Sequence, residues 1–485
     1  MTRDISSLQP RSLFSRFSEL CSIPRTSGHE SAVAEWIAKF AKEHSLPCRT
    51  DEAGNVIINA PASEGLGNKP GVILQAHMDM VPASDAGVSH DFLKDPIEVY
   101  EDNGWLKARG TSLGADDGLG LCTILALLDD PSLKHGPITA IFTVEEETTM
   151  KGALAITKTD LKDAEYLINL DSEDSGYVFT GCAGSCDADI RLPLERVQTP
   201  DCSLFKLTFT GFLGGHSGSD IALGRANAIK FATQTLLSLS DDFEFFISSI
   251  EGGRARNAIP SSCDVTVNVP NESVASLKKA LSSEFEKLKS LYTKEDPEIT
   301  FKVTEGSPKS KSLSAECSIE LLNLLNALPS GALSFHDKAK TLTMSSCNLG
   351  SVILADDSAC IKLMPRSLTD AGLNQIVTIL KSCAELSGAV CEFSNYHDCW
   401  LSPSDSTLVK ALSSAWSKVS GSALQNAIIH AGLECARFHT LCPDLQMASI
   451  GSTIISPHSP RERAEIKGAV MVYETLRLAL ASLSE

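Results

Sequence analysis

A histidine and an aspartate two residues apart, His77 and Asp79, close the apolar run GVILQAHMD at residues 71–79. In an extended segment residues i and i+2 share a face, so Asp79 can fix the tautomer of His77 while the other ring nitrogen takes a metal ion. For one such triplet alone, a satisfied histidine beside a solvated acid is the ordinary alternative. Further acids change the balance. Asp116 and Asp117 fall in the first turn of an apolar helix, GADDGLGLCTILALL, where two carboxylates need a cation, donors or the helix dipole. Glu145, Glu146 and Glu147 follow the apolar run PITAIFTV, Asp171 follows YLINL, and His458 lies in GSTIISPHSPRE. Together His77, Asp116, Glu147, Asp171 and His458 suit two divalent ions of the zinc type, with one carboxylate bridging. Two ions about 3.5–4 Å apart activate a shared water for attack on a carbonyl. Glu146, beside Glu147, is the candidate base that takes the water's proton and passes it to a leaving amine. The chemistry is hydrolytic.

These residues need elements that bring them to one edge. The runs at 71–77, 137–144 and 166–170 are apolar and rich in β-branched residues, as strands buried on both faces are, and each ends in an acid or a histidine. Helical periodicity at 12–20, 30–44 and 120–128 lies between or before them, and 48–59 reads as a hairpin. That is the pattern of an open α/β sheet, in which ligands sit at the carboxyl edge of the strands. From about Asp187 the texture changes. Strands at 205–210, 243–250, 264–269 and 299–303, with helices at 225–239 and 273–288, follow the split βαβ order of a ferredoxin-like unit. Residues 315–394 follow much the same order, with helices at 315–328 and 371–387 and strands at 341–345, 351–354, 360–364 and 391–394, which points to a structural duplication. After about His397 long helices (406–419, 462–483) and buried strands (426–430, 445–450) return. The expectation is an α/β catalytic domain with a mixed sheet, made from residues 1–186 and 397–485, and an inserted α+β domain of two ferredoxin-like halves at 187–396.

Composition narrows the partners. A chain of 485 residues with 43% hydrophobic and 21% charged residues is globular and long enough for two or three cores. A net charge of −19 argues against nucleic acid and anionic membrane as partners. The first twenty residues lack a continuous apolar core, and no run approaches the about 18 apolar residues that cross a bilayer, so a cytoplasmic protein is expected. Fifteen scattered cysteines read as free, mostly buried thiols. There is no G-x-x-x-x-G-K-[ST] phosphate loop and no H-E-x-x-H helix. Gly110-Thr-Ser112-Leu-Gly114 fits the G-x-S-x-G elbow of serine hydrolases, with a later Asp and His458 in triad order. That alternative needs a buried strand before Ser112, for which GWLKARG is poor, and it leaves the acids unexplained.

The motifs HMDMVP, SLGADDGLG, VEEETTMKGA, INLDSED, TGCAGSCD, GGHSGSDI, RNAIP, HAGLEC and PHSPRE, in this order and spacing, resemble the M20 metallopeptidases, and among them the aminoacyl-histidine dipeptidase group. The resemblance runs from about Leu20 to the C-terminus. It implies that His77, Asp116 and Asp171 bind one zinc ion and that Asp116, Glu147 and His458 bind the other, with manganese or cobalt as substitutes. It implies Glu146 as general base, Asp79 as orienter of His77, and His216 as a contact to the oxygen of the scissile carbonyl, often across a dimer interface. Asn257, Arg366 and Glu434 resemble substrate contacts, Arg366 by the fit of its fork to a terminal carboxylate and Glu434 as receiver of the substrate ammonium. The implied function is hydrolysis of Xaa-His and other dipeptides, with the inserted domain as lid and dimerisation element. The runners-up are an N-acyl amino acid deacylase and a non-catalytic relative. Two departures stand. Asp117 occupies a position where relatives commonly have Asn, and a slip of one in VEEE would make Glu145 the base and Glu146 the ligand.

Overall fold

The computed structural model describes residues 5–199, 201–292, 294–306, 311–337 and 342–484. The chain forms two compact units, one built from Met1–Cys182, Trp400–Ile428 and Leu433–Glu485, the other from Ala183–Cys399 and Ile429–Gly432.

The first unit opens with α1 (Arg11–Leu20) and α2 (Ser31–Glu43), whose apolar stripes, Leu13, Phe14, Phe17 and Leu20 and then Val33, Ile37 and Phe40, are buried. β1 (Cys48–Thr50) and β2 (Val56–Ala60) form the expected antiparallel hairpin. β3 (Gly71–His77) is buried along its whole length. α3 (Ala115–Leu128) is almost wholly apolar and buried. Asp116 and Asp117 at its start depart from helical geometry, so the regular helix begins after the glycine-framed turn. β4 (Ile138–Thr143) leads into the short helix α4 (Glu146–Thr149), and β5 (Ala164–Asn169) and β6 (Tyr177–Cys182) follow. The segment before Ser112 is a short strand, Trp105–Ala108, in a small separate sheet.

The second unit contains β7 (Gly184–Pro193), β8 (Cys202–Thr210), α5 (Ala228–Leu237), β9 (Phe246–Gly253), β10 (Cys263–Pro270), α6 (Val274–Lys289), β11 (Thr300–Gly306), α7 (Ala315–Ala327), β12 (Thr343–Leu354), β13 (Ser358–Ser367), α8 (Asp370–Leu386) and β14 (Val390–His397). Its strands form one antiparallel sheet in the order β11-β8-β10-β9-β12-β13-β7-β14. The first four, with α5 and α6, are one ferredoxin-like half, the fourth strand lying beside the first. The second half is β12-β13-β7-β14 with α7 and α8. Two expectations need correction here. The strands expected at 341–345 and 351–354 are one long strand, β12, bulged between Leu349 and Ser351, although Thr341 lies outside the described residues. A bulge turns the side-chain alternation by one residue, which is why the run reads as two pieces. The first strand of this half is β7, far upstream, so the whole first half is inserted between that strand and its own helix.

The chain then returns to the first unit through β15 (Trp400–Leu401), α9 (Thr407–Ser420), α10 (Cys435–Leu441), β16 (Gln446–Ser449) and the closing helix α11 (Ile466–Leu483). The first unit's main sheet runs β1-β2-β4-β3-β5-β16-β6-β15. Its centre is parallel, β4 to β3 to β5 to β16, and its flanks are antiparallel, which makes it the expected mixed sheet. The parallel centre aligns the carboxyl ends of β3, β4 and β5, where His77, Glu146, Glu147 and Asp171 follow. No helix among the described residues is long and apolar enough to cross a membrane, and all fifteen cysteines are free thiols.

Candidate metal centre

At the carboxyl edge of the first unit's sheet His77 is fully buried at the last position of β3. Its Nδ1 lies 3.3 Å from Asp79 Oδ1, and its Nε2 lies 3.2 Å from Asp116 Oδ1 and 3.4 Å from Asp171 Oδ1. His458, on the far C-terminal loop, brings its Nε2 to 3.1 Å from Asp116 Oδ2 and 2.9 Å from Glu147 Oε1. Asp116 therefore turns one oxygen to each imidazole. Ligand atoms of His77, Asp116 and Asp171, and of Asp116, Glu147 and His458, lie within 4.8 Å of one another, as do those of His77, Glu146 and Glu147.

The donor set fits divalent ions. Tetrahedral bonds of the zinc type place neighbouring ligand atoms about 3.3 Å apart, close to the separations seen here, and the set is imidazole nitrogen and carboxylate oxygen throughout. Held only by hydrogen bonds, the same cluster would require charged imidazoles. Burial opposes that charge, but the surrounding carboxylates overcome it, raising His77 well above its usual range and His458 to about 11. Burial also raises Asp171 and Glu146, each well above the carboxylate range, with neighbouring acids adding to it. Positive charge at the centre is what this many buried acids demand.

Asp79 does two things. Besides facing His77, its Oδ1 accepts the Glu146 N–H at 3.0 Å and its Oδ2 accepts the Glu147 N–H at 3.1 Å and the Ser27 hydroxyl at 2.7 Å. Against the effect of burial, His77, Ser27 and the Glu146 amide hold its carboxyl down at about 2. The three glutamates separate in space. Glu145 has left-handed backbone (φ +52°) and its carboxylate pairs with Lys151 at 2.7 Å, whereas Glu146 and Glu147 turn into the cluster.

Sequence reasoning missed several polar residues that underlie the site. Gln75, Thr143, Asn169 and Ser449 stand inside apolar strands, and hydrogen bonds link Ser449 to Asn169 (2.5 Å), Asn169 to Gln75 (2.7 Å), and Gln75 (2.5 Å) and Thr143 (2.8 Å) to Glu434 Oε2. Polar residues at the ends of otherwise apolar strands were the available signal. Glu434 is itself fully buried, its Oε1 has no hydrogen-bond partner, and burial pushes its carboxyl up to about 7. Glu173, in the acidic run after β5, is raised to about 8 by burial and by the nearby Asp116. Arg25 and Glu462 are buried charges whose partners are backbone groups of the site loops. Ser112 is fully buried, its hydroxyl donating to the Val81 carbonyl at 2.7 Å and accepting the Ala83 N–H at 3.1 Å, so it does not stand exposed on an elbow.

The second unit gathers the remaining candidates. His216 and Asn257 meet on a short ladder in which His216 faces Ala258 and the Asn257 carbonyl accepts the Ser217 N–H at 2.9 Å. The Gly218 and Ser219 amides both approach His216 Nδ1 at 3.3 Å, which leaves the proton of a neutral ring on Nε2. Gly218 has no space for a side chain, since a Cβ there would lie 2.5 Å from the His430 carbonyl oxygen. Arg366 on β13 is opposite Ser346 on β12, and Ser346 in turn meets His430 Nε2 at 2.8 Å. Arg366 is 6% exposed, its Nε has no hydrogen-bond partner and its Nη2 lies 3.2 Å from Met364 Sδ. Among the described residues no carboxylate is within ion-pair distance of it. His430, which opens the HAGLEC motif but has no role in the sequence reading, is held down at about 4 by burial and by the nearby Arg366.

Comparison with known proteins gives one consistent result. Residues 73–482 match the model of peptidase family M20/M25/M40. The cytosol non-specific dipeptidase of Escherichia coli (strain K12) is 37% identical over 465 residues, which is 96% of this chain and 96% of that protein. The structure of an aminoacylhistidine dipeptidase from Vibrio alginolyticus superposes with a TM-score of 0.86 at 36% identity, covering 99% of this chain and 98% of that one. A tripeptidase from Staphylococcus aureus, 15% identical with a TM-score of 0.56 over 98% of both chains, has the same fold.

Proposed function

Because the chain belongs to peptidase family M20/M25/M40, we propose that it is a metal-dependent dipeptidase that hydrolyses Xaa-His and other dipeptides. The observation that carries this reading is Asp116 turning its two carboxylate oxygens to two different imidazoles, with Asp171 beside the first and Glu147 beside the second. His77, Asp116 and Asp171 would hold one divalent ion and Asp116, Glu147 and His458 the other, zinc first and manganese or cobalt as substitutes. Bound there, two such ions supply Lewis acidity toward a water and toward the scissile carbonyl. Asp79 keeps the His77 ring in one orientation and fixes the amides of both glutamates. Glu146, raised by burial and by Asp171, is suited to hold the proton taken from water and release it to the departing amine.

In the second unit His216 offers an Nε2 proton to the carbonyl oxygen, with Asn257 beside it. Arg366, buried without a carboxylate, supplies a fork for the terminal carboxylate of a dipeptide. Glu434 has only Oε1 left for a substrate ammonium. The similarity to a cytosol dipeptidase supports a cytoplasmic location. Homodimerisation through the inserted unit, as lid and dimerisation element, is part of the same reading and is tested by light scattering.

The main test is metal analysis combined with assays on carnosine-like, other Xaa-His and ordinary dipeptides and on acylated amino acids. Two ions per chain and turnover of dipeptides are expected. Glu146→Gln retains both ions and loses about 10²–10⁴-fold in kcat, the contribution of a positioned general base. Absence of turnover of every dipeptide overturns the assignment, and preference for acylated amino acids converts it to a deacylase.

A further inference from the structure

Two buried, oppositely charged side chains grip the same turn. Arg25, 2% exposed, donates from Nη1 to the Met78 and Asp79 carbonyls, both at 2.8 Å, and from Nη2 to the Gly114 carbonyl. Glu462, 3% exposed, accepts the Leu113 N–H at 2.8 Å and the Gly114 N–H at 3.0 Å on Oε2, and the Ala115 N–H at 2.8 Å on Oε1. The backbone of Gly114 is thus held on its carbonyl by a guanidinium and on its amide by a carboxylate. Gly114 has φ +67°, and a Cβ there would lie 2.6 Å from Arg25 Nη2, so no larger residue fits between turn and clamp.

Each clamp joins a different pair of segments. Arg25 ties the residues just after His77 to the turn that ends in Asp116. Glu462, four residues after His458, ties that C-terminal loop to the same turn. Hydrogen bonds between an ionised group and backbone atoms in a buried setting are strong and directional, so each clamp fixes the separation of the two segments it joins.

We propose that Arg25 and Glu462 are positioning residues with separate targets, Arg25 setting the affinity for the ion held by His77, Asp116 and Asp171, and Glu462 that for the ion held by Asp116, Glu147 and His458. The inference rests on the two-ion reading above and adds a division of labour to it. Outer residues that orient ligands alter metal affinity by about 10- to 100-fold when changed. Both clamps hold the turn that leads to the shared Asp116, and they differ in the second segment that each one holds, the residues just after His77 for Arg25 and the His458 loop for Glu462.

The test is competition between the protein and a chromophoric chelator for Co²⁺, which yields stepwise dissociation constants, assigned to their sites with His77→Ala and His458→Ala. The visible spectrum of bound Co²⁺ reports the coordination of whichever ion remains. For Glu462→Gln the constant of the His458-side ion should rise about 10- to 100-fold while the His77-side ion changes by less than about threefold. Arg25→Met should give the reverse, and Arg25→Lys, which keeps one donor direction, an intermediate value that carries the test if Arg25→Met does not fold. Equal weakening of both ions by either variant, or unchanged constants with only a lower melting temperature of the ion-free protein, overturns the proposal. If the unaltered protein binds fewer than two ions, the functional reading itself fails, a different outcome from either of these.

Discussion

Arg366 is the residue whose environment asks most plainly for a ligand. This guanidinium is taken out of water with no carboxylate within ion-pair distance among the described residues, its Nε without a hydrogen-bond partner and its Nη2 on the Met364 thioether, and burial alone brings its pKa to about 10. If it receives the terminal carboxylate of a dipeptide, Arg366→Met removes charge-assisted bonds together worth about 3 kcal/mol, so kcat/KM for dipeptides should fall roughly 100-fold. The same substitution should leave C-terminal amides at their already low rate, and steady-state kinetics on the two substrate types separates these outcomes. His430 gives a prediction in pH. Burial and Arg366 depress it from 6.5 to about 4, so between those values the unfolded chain binds more protons than the folded one. Stability contributed by the neutral ring is therefore complete above pH 6.5 and is lost as pH falls to about 4, by about 3 kcal/mol. In denaturant titrations at a series of pH values, His430→Gln should flatten this part of the profile relative to the unaltered protein.

At the scale of elements, local pattern and long-range pairing contributed differently. The strands β3, β4 and β5 and helices α1, α2, α3 and α11 were legible because apolar runs and helical stripes are local properties. β7 was not, because nothing within Gly184–Pro193 tells that its sheet partners are β13 and β14, far along the chain. The turn that carries His216 depends on another distant residue. Asp296 is fully buried and accepts the Leu213 and Ala226 N–H groups, both at 2.6 Å, bracketing the segment between them. Asp296→Ala leaves the buried Ala226 amide and the partly buried Leu213 amide without this acceptor and should destabilise the second unit by about 2 kcal/mol, read as a lower urea midpoint for that unit. Asp296→Asn, which keeps one acceptor oxygen, should lose less.

For the whole molecule, two units with separate cores, one of which holds all the candidate metal ligands, imply two unfolding transitions. An ion that binds only the folded first unit stabilises it by about 4 kcal/mol when present at a thousandfold excess over its dissociation constant. Calorimetry with and without a chelator should therefore move one transition and leave the other within a degree or so; equal displacement of both would mean that the units do not unfold independently. The amino-acid sequence by itself determined the kinds of donor, the apolar strands that end in them, the acidic surface and the family resemblance, since side-chain chemistry and periodicity are carried by neighbouring residues. Only the tertiary structure decided which oxygens of Asp116 face which imidazole, that Glu145 turns out to Lys151 while Glu146 and Glu147 turn in, that the second ferredoxin-like half borrows its first strand from upstream, and that Arg25 and Glu462 share one turn. Apart from the Glu145–Lys151 pair, those are contacts between residues far apart in the chain, fixed by packing and by hydrogen bonds that local pattern does not encode.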